Sequence, residues 1–419
     1  MDQPLKISDL RSAESSTHTH TGVLQKAYDW KEADMVRAAG LYPYFRPIQA
    51  TSGADVHIDG QKKIMIGSNN YLGLTIHPAV IEAAKQAIDQ YGTGCTGSRF
   101  LNGTLDIHLK LEADIAHFTG KEDALVITTG FQTNLAAISC LADRHDLIFS
   151  DEENHASIVE ACRLSFGRMV KYTHNDMHDL ERLLKRYATV PGKLIITDGV
   201  FSMSGDIAPL PDLCGLAKRY GATLLIDDAH GVGYMGPHGE GTAHHFGCQD
   251  DVDVITGTFS KSFASVGGYV VAKTKVIDWI RHKGRAYIFS ASLPPASVAT
   301  VATCLKVIRE EPQRIKSLWK NTHYITRKFK EQKVPILNDK TPIVPIAIGE
   351  DMLTFKFNHA LYEAGVFANP VVAPAAPRGH GMIRTSYMAT HTREELDTVV
   401  KVFKGLFEKF NLPLRQANT

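Results

Sequence analysis

The chain has 419 residues, 44% of them hydrophobic, and its 46 Lys and Arg side chains are balanced by 45 Asp and Glu, which leaves a formal net charge of +1. This length predicts two domains or more, a charge near zero without a basic block excludes a nucleic-acid partner, and the longest apolar runs are too short to span a membrane. There is no signal-peptide pattern, and the six cysteines are scattered without the spacing of a metal site. We therefore expect a cytoplasmic protein with reduced thiols and no bound metal. A peripheral contact at the inner membrane surface stays open.

The first 66 residues predict an arm followed by small elements. Residues 1–21 are polar and lack periodicity, which is typical of a mobile arm. Residues 28–39 have a helical pattern. Residues 56–60 and 63–66 predict a hairpin that turns at Asp59 and Gly60.

The middle of the chain alternates strand-like and helical runs. The predicted strands are 124–128, 146–150, 169–172, 193–198, 224–227, 254–258 and 268–272, and the predicted helices between them are 131–142, 156–166, 177–187 and 210–220. This alternation is typical of a mainly parallel sheet, here seven-stranded, with helices packed against it.

A pair of prolines opens a long predicted helix at 296–310, which we expect to lead away from this sheet. From residue 313 the pattern is helix, strand, helix, strand, helix, which predicts a smaller α/β domain. The predicted organisation is an arm and hairpin (1–66), a large domain (67–300) and a small C-terminal domain (301–419).

Two charged residues follow predicted strands, where ligands of open α/β sheets bind. Lys261 comes just after strand 254–258, and Asp227 ends strand 224–227. A lysine amine can condense with an aldehyde, and a carboxylate can pair with the ring nitrogen of pyridoxal 5'-phosphate (PLP). Taken alone, Lys261 could be a solvated surface group and Asp227 a helix cap, but together they favour a PLP site.

Other polar groups follow the same set of strands. Gly130 lies at a strand-to-helix turn that can hold a phosphate, with Thr258 as a further hydroxyl. His155, His230 and Ser202 also follow strand ends. The imidazole of His155 could lie on a pyridine ring, and His230 and Ser202 could reach the phenolic oxygen of that ring. Each has an ordinary alternative as a helix-start, turn or capping residue.

Arg384 lies inside an apolar strand-like run. A buried guanidinium needs a partner, and its forked geometry suits an amino-acid carboxylate. An inter-domain salt bridge is the alternative.

Five ordered motifs resemble those of the α-oxoamine synthases, and the similarity runs from about residue 28 to the C-terminal helix. They are 67–73 (GSNNYLG), 97–104 (GSRFLNGT), 129–134 (TGFQTN), 227–231 (DDAHG) and 257–262 (GTFSKS). The resemblance implies a fold-type-I, PLP-dependent transferase that condenses an amino acid with an acyl-CoA. Within the family the chain is most similar to the bacterial members that use L-serine and a long-chain acyl-CoA.

The resemblance also implies roles for individual residues. It makes Lys261 the lysine that bonds the cofactor, Asp227 the partner of the pyridinium nitrogen and His155 the stacking imidazole. It assigns His230 and Ser202 to the phenolic oxygen. It places Gly130, Phe131 and Thr258 at the phosphate.

The resemblance further implies a homodimer with shared active sites. Asn69 and Tyr71 match a segment that borders the site across the dimer interface, and Arg384 matches the residue that binds the substrate carboxylate. Ser290 matches a residue by which the partner subunit contacts the phosphate; Ala291 stands where the family often has Thr. Residues 374–381 match a mobile loop.

Three alternatives remain open at this point. A related synthase could use glycine or alanine, as do 2-amino-3-ketobutyrate CoA ligase, 8-amino-7-oxononanoate synthase and 5-aminolevulinate synthase, because a few pocket atoms set this choice. An inactive scaffold subunit is disfavoured by the presence of Lys261, Asp227 and His155. A nicotinamide-dependent enzyme is disfavoured because no Gly-x-Gly-x-x-Gly opens a helix after an early strand.

Overall fold

A computed structural model describes residues 22–414, and the arm predicted at 1–21 lies outside the described residues. These residues form two compact units, 22–44 and 45–414. The first contains two short helices, α1 (Gln25–Asp29) and α2 (Glu32–Ala38). The single helix predicted at 28–39 is therefore wrong, because the chain leaves the helical conformation at Trp30, with a ψ of 115°.

The second unit contains fourteen strands among its described residues. They are β1 (Ala50–Ser52), β2 (Asp55–Ile58), β3 (Gln61–Met65), β4 (Asp123–Ile127), β5 (Asp146–Asp151), β6 (Arg168–Tyr172), β7 (Gly192–Asp198), β8 (Thr223–Asp227), β9 (Val254–Thr258), β10 (Gly268–Ala272), β11 (Ile343–Gly349), β12 (Val366–Phe367), β13 (Asn369–Val371) and β14 (Gly381–Ser386).

The helices of this unit lie between and after these strands. They are α3 (Pro78–Tyr91), α4 (Asp106–Phe118), α5 (Gly130–Leu141), α6 (Ala156–Leu164), α7 (Met177–Arg186), α8 (Leu210–Tyr220), α9 (Thr242–His245), α10 (Thr274–Lys283), α11 (Arg285–Ile288), α12 (Pro295–Glu310), α13 (Gln313–Glu331), α14 (Asp351–Glu363) and α15 (Arg393–Lys409).

Seven strands form the main sheet in the order β4-β10-β9-β8-β7-β5-β6. Neighbouring strands are parallel from β9 to β6, and β10 is antiparallel to both β9 and β4. All residues of β9 and β10 are buried, as expected for a sheet covered by helices on both faces. The predicted fold class and the seven predicted strands are confirmed.

Local signals explain where several helices begin. The side chains of Thr129, Asp176, Glu350 and Thr392 each accept a hydrogen bond from a backbone N–H in the first turn of α5, α7, α14 and α15. Such caps satisfy N–H groups that have no partner inside the helix. The helices predicted in the middle of the chain end within two residues of those observed.

Two smaller sheets complete the unit. The predicted hairpin is confirmed as β2 and β3, with Asp59 and Gly60 at positive φ in its turn. β3 also pairs in parallel with β12, which joins the hairpin to a strand from the C-terminal region. The third sheet is antiparallel, in the order β11-β14-β13. The domain limits at 66/67 and 300/301 stay predictions.

None of the helices within residues 22–414 is long and apolar enough to cross a membrane.

Candidate active site

A cavity of about 310 Å³ lies at the carboxyl edge of the main sheet. The chain segments that follow β4, β5, β7, β8 and β9 all contribute to it, because the carboxyl ends of these strands point to the same edge. Its lining includes Gly130, Phe131, His155, Asp227, His230, Thr258 and Lys261. The structure thus brings together seven of the residues that the sequence predicts for the cofactor site.

Lys261 lies just beyond β9 and is partly exposed to the cavity. Burial lowers the pKa of its amine from the ordinary 10.5 to about 8; the negative charges of Asp227 and Asp198 oppose this, and the positive charge of Arg384 adds to it. A lysine with such a pKa has a substantial neutral fraction near physiological pH, and the neutral amine is the nucleophile.

Asp227 ends β8, is 6% exposed and uses both carboxylate oxygens. Its Oδ2 accepts a hydrogen bond of 2.6 Å from Asn134 Nδ2, and its Oδ1 accepts one of 3.0 Å from the backbone N–H of Ala229. These two donors hold the carboxylate in one orientation at the cavity.

His155 caps the N-terminus of α6, with two hydrogen-bonded neighbours. Its backbone N–H donates to Asp198 Oδ2 at 2.7 Å, and its Nδ1 lies 2.7 Å from Ser157 Oγ. Burial lowers the pKa of His155; the charge of Asp227 opposes this and that of Lys261 adds to it. The imidazole is therefore held neutral against the cavity.

Asp198 ends β7, lines the same cavity and is absent from the sequence-based predictions. Burial, followed by the negative charge of Asp227, raises its pKa well above the usual range. The strand-end rule that found Asp227 applies equally to Asp198 and could have found it. Asn134 and Ser157 were also missed, because each lies within a helix, although Asn134 ends the motif at 129–134 and could have been found there.

His230 and Tyr71 form a buried pair beside the cavity. The hydroxyl of Tyr71 and Nδ1 of His230 are 2.8 Å apart, and Tyr71 is fully buried. Burial lowers the pKa of His230 well below its usual value, and the charges of Lys261, Arg384 and His155 act in the same direction. Burial raises the pKa of the Tyr71 hydroxyl, so both groups are neutral.

The N-terminus of α5 provides a place for an anion. Its first N–H groups, from Gly130 and Phe131, have no partner within the helix and carry its positive dipole end. A Cβ on Gly130 would lie 2.5 Å from Thr258 Oγ1, so only glycine fits beside this hydroxyl. Ser290 Oγ lies nearby and accepts a 3.1 Å hydrogen bond from Gln132 Nε2 of the same chain.

Arg384 is 6% exposed in β14 and forms a second cluster with Asn69 and Ser202. Its Nε donates to the carbonyl oxygen of Ser202 and its Nη2 to Asn69 Oδ1, both at 2.8 Å. Its Nη1 donates to Ser386 Oγ at 3.3 Å. Within residues 22–414 it forms no ion pair, so the salt-bridge alternative has no partner there, and a buried cation beside neutral acceptors can bind a carboxylate.

A separate group of charges supports the loops around the site. His174 Nδ1 lies 3.0 Å from Asp151, and its Nε2 lies 3.7 Å from Asp206 and 3.8 Å from Glu153. Burial opposes its charge, but the hydrogen bond to Asp151 and the nearby carboxylates of Asp206 and Glu153 outweigh it and raise its pKa to about 10. His174 is thus an imidazolium that links the loop before His155 to the loop after β7.

These residues fit PLP. One cavity contains an amine of lowered pKa, an oriented carboxylate, a neutral imidazole and, at its edge, a helix N-terminus that is open because residue 130 is glycine. Within the described residues no group of His, Cys, Asp and Glu side chains could hold a metal ion.

The sequence model of the "aminotransferase class I and II" family matches residues 61–403. The chain belongs to this family. The match covers both the cavity and the Arg384 cluster.

Similar family members include two kinds of α-oxoamine synthase, which confirms the predicted resemblance. The chain is 49% identical to a serine palmitoyltransferase of Sphingobacterium spiritivorum over 374 residues, covering 89% of this chain and 94% of that protein. It is 40% identical to an 8-amino-7-oxononanoate synthase of Thermoanaerobacter pseudethanolicus, covering 91% and 97%. A solved serine palmitoyltransferase of S. paucimobilis with a bound PLP-myriocin aldimine superposes with a TM-score of 0.91 at 33% identity, covering 94% of this chain and all of that one.

Proposed function

We propose that this chain is a PLP-dependent serine palmitoyltransferase. It condenses L-serine with a long-chain acyl-CoA such as palmitoyl-CoA and releases CO2 and CoA, which gives 3-ketodihydrosphingosine and begins sphingolipid synthesis. The observation that carries this proposal is the single cavity in which Lys261 and Asp227 lie together, in a chain about half identical to serine palmitoyltransferases over most of its length.

The residues of the cavity would divide the cofactor's binding among them. Asp227 would keep the ring nitrogen protonated, and His155 would lie against the ring. His230 and Ser202 would hold the phenolic oxygen. The remaining contacts, to the phosphate, would come from Gly130, Phe131, Thr258 and Ser290.

When bound, PLP supplies an electron sink for negative charge on the substrate's α-carbon. Lys261 would remove the α-proton and later return one, because its amine has a pKa near 8 and can act as base and acid at neutral pH. Burial lowers the pKa of His155, so its imidazole would stay neutral during this transfer. It would therefore add no positive charge beside the ring nitrogen that Asp227 would keep protonated.

Arg384 would bind the serine carboxylate, with Asn69 at its side. Three of its five N–H groups already contact neutral oxygens, so the planar group is held in one orientation before substrate arrives. Tyr71, hydrogen-bonded to His230, would connect this carboxylate site with the phenolic-oxygen end of the cofactor. Such pre-arranged donors reduce the entropy lost on binding.

We also propose a homodimer with shared active sites. Large apolar side chains are exposed in the single chain: Phe131, which lines the cavity, at 44%, Leu101 at 79%, and Phe289, which precedes Ser290, at 78%. A second copy would cover this surface. Sedimentation of the active enzyme should give a dimer, and a fully active monomer would contradict the proposal.

The proposed location is the cytoplasm, with a peripheral contact at the inner membrane surface, because the acyl donor and the product are both amphiphilic. Vesicle flotation with the purified enzyme measures such a contact, and an enzyme that stays at the bottom of the gradient would limit the location to the cytoplasm.

A second candidate is a synthase that uses alanine or glycine, since the chain is also 40% identical to an 8-amino-7-oxononanoate synthase. The two activities differ in whether the pocket holds a hydroxymethyl group. A site that hydrogen-bonds a hydroxyl rejects analogues lacking it far more strongly than an apolar pocket rejects one methylene.

A competition assay separates the two candidates. L-serine, glycine and L-alanine at equal concentration are offered to the enzyme with palmitoyl-CoA, and the ketone products are measured by mass spectrometry. We expect the serine product to dominate, and Lys261→Ala measures the background. A dominant glycine or alanine product, or faster turnover with a short-chain acyl-CoA, would overturn the proposal.

A further inference from the structure

A buried chain of hydrogen bonds connects the two groups that would flank the cofactor ring. It starts at Thr256 in β9 and passes through Asn134 in α5, both 1% exposed. Thr256 Oγ1 donates to Asn134 Oδ1 at 2.8 Å, and Asn134 Nδ2 donates to Asp227 Oδ2 at 2.6 Å. The same Nδ2 donates to Ser157 Oγ at 2.8 Å, and Ser157 Oγ lies 2.7 Å from His155 Nδ1.

The direction of these hydrogen bonds favours the ionised form of Asp227. If the Asn134 amide were turned over, its oxygen would lie 2.6 Å from Asp227 Oδ2, and two acceptors tolerate that distance only if the carboxyl carries a proton. The other oxygen of Asp227 already accepts from the backbone N–H of Ala229. The backbone N–H of Ser157 donates to His155 Nδ1, so Nδ1 carries no proton and Ser157 Oγ must donate to it and accept from Asn134. The amide nitrogen of Asn134 therefore faces Asp227 as well, and donors at both oxygens favour the ionised carboxylate.

The same direction selects the tautomer of His155. Ser157 Oγ accepts from Asn134, so its single proton is free to be donated to His155 Nδ1. The backbone N–H of Ser157 also donates to Nδ1, at 3.2 Å. With two donors directed at it, Nδ1 acts as an acceptor and carries no proton. The neutral imidazole therefore carries its proton on Nε2.

We propose that Asn134 is a positioning residue that sets the protonation states of both groups beside the cofactor ring: it holds Asp227 as a carboxylate and His155 as the neutral Nε2–H tautomer. One amide, oriented through Ser157 and with its oxygen bonded to Thr256, serves both groups at once. The inference rests on the proposed PLP function for its relevance to catalysis, but the protonation states belong to the protein and exist without substrate.

The tautomer is measured in the apoenzyme by nitrogen NMR of protein labelled with 15N-histidine. The His155 signals are identified by their loss in His155→Gln. We expect the wild-type spectrum between pH 7 and 8 to show His155 neutral with its proton on Nε2. Asn134→Ala and Ser157→Ala should each shift the tautomer ratio by about 2- to 10-fold, the effect of one or two hydrogen bonds. Ser139→Ala, on the same helix but bonded only to the Leu135 carbonyl, should leave the ratio unchanged.

The charge of Asp227 is measured in the same way, with aspartate labelled at the carboxyl carbon and the signal assigned through Asp227→Asn. We expect the carbon chemical shift of an ionised carboxylate in the wild type. Thr256→Val leaves the amide oxygen of Asn134 without its donor and should change the carboxyl-carbon shift of Asp227. This variant also keeps the question answerable if Asn134→Ala does not fold.

Three results would overturn the inference: an Nδ1–H tautomer of His155 in the wild type, the carbon shift of a protonated Asp227 in the wild type, or variants that change neither signal. A wrong substrate assignment would leave all of these signals as expected and would appear only in the competition assay. The two proposals therefore fail independently.

Discussion

The amine of Lys261 should capture the cofactor aldehyde with a pH midpoint near 8. Burial lowers the pKa of this amine from 10.5 to about 8, and only the neutral amine attacks an aldehyde. At pH 8 about half of the Lys261 side chains are then neutral, compared with about 0.3% of ordinary lysines. The capture rate constant at pH 8 should therefore be about 100-fold higher than for a lysine with the ordinary pKa.

Two variants should move this midpoint in opposite directions. The charge of Asp227 raises the pKa of Lys261 and that of Arg384 lowers it. Asp227→Asn removes the negative charge, so the midpoint should move below pH 8. Arg384→Gln removes the positive charge, so the midpoint should move above pH 8. These signs follow from electrostatics alone and form a matched pair, since both variants replace a charged group by an amide.

Rapid mixing of apoenzyme with PLP, followed by visible absorbance between pH 6 and 10, measures the capture rate constant. Reaction of PLP with a free amine under the same conditions corrects for the titration of PLP itself, and Lys261→Ala should show no covalent capture. A midpoint near 10.5 in the wild type, or a shift of both charge variants in the same direction, would refute the reasoning.

Three further predictions concern single residues around the site. Arg384→Lys should raise KM for L-serine by about 10-fold or more while the bound cofactor keeps its absorbance, because an ammonium lacks the planar fork; an unchanged KM would remove the carboxylate assignment. Gly130→Ala should weaken cofactor binding to the apoenzyme by about 10-fold or more in an absorbance titration, since its Cβ would lie 2.5 Å from Thr258 Oγ1; wild-type affinity would show that Thr258 can move away. His174→Gln should lower Tm at pH 7. Because the pKa of His174 is raised, its stabilisation is present at neutral pH and is lost as pH rises through about 10, so the Tm difference between wild type and variant should fade above that pH. A Tm difference that persists at pH 11 would exclude a charge effect.

Predictions from the sequence succeeded where local pattern and chemistry coincide. The apolar runs that end at Asp227 and shortly before Lys261 are strands of the main sheet, and the parallel order brings their ends to one cavity. Gly130 could be assigned to a strand-to-helix turn because a strand-like run, a threonine, a glycine and a helical pattern follow one another directly. In each case the residues that decide the outcome are neighbours in the chain.

Predictions failed or were absent where distant parts of the chain meet. The pairing of β3 with β12 joins residues about 300 positions apart, and no local pattern indicates it. The helix predicted at 28–39 is an exception, because it failed for a local reason: the chain leaves the helical conformation at Trp30. The antiparallel direction of β10 is also a property of the whole sheet, because a buried apolar strand has the same composition in either direction.

The sequence by itself determined the fold class, the strands and the chemical types at their ends, because these depend on periodicity and on neighbouring residues. Only the tertiary structure decided which acceptors surround Arg384 and that Asn134 connects Asp227 to His155. Burial and hydrogen-bond direction set the protonation states of these groups, and both arise only when segments that are separate in the sequence pack together: Asn134 and Asp227 are 93 positions apart, and Asn69 and Arg384 are 315 apart.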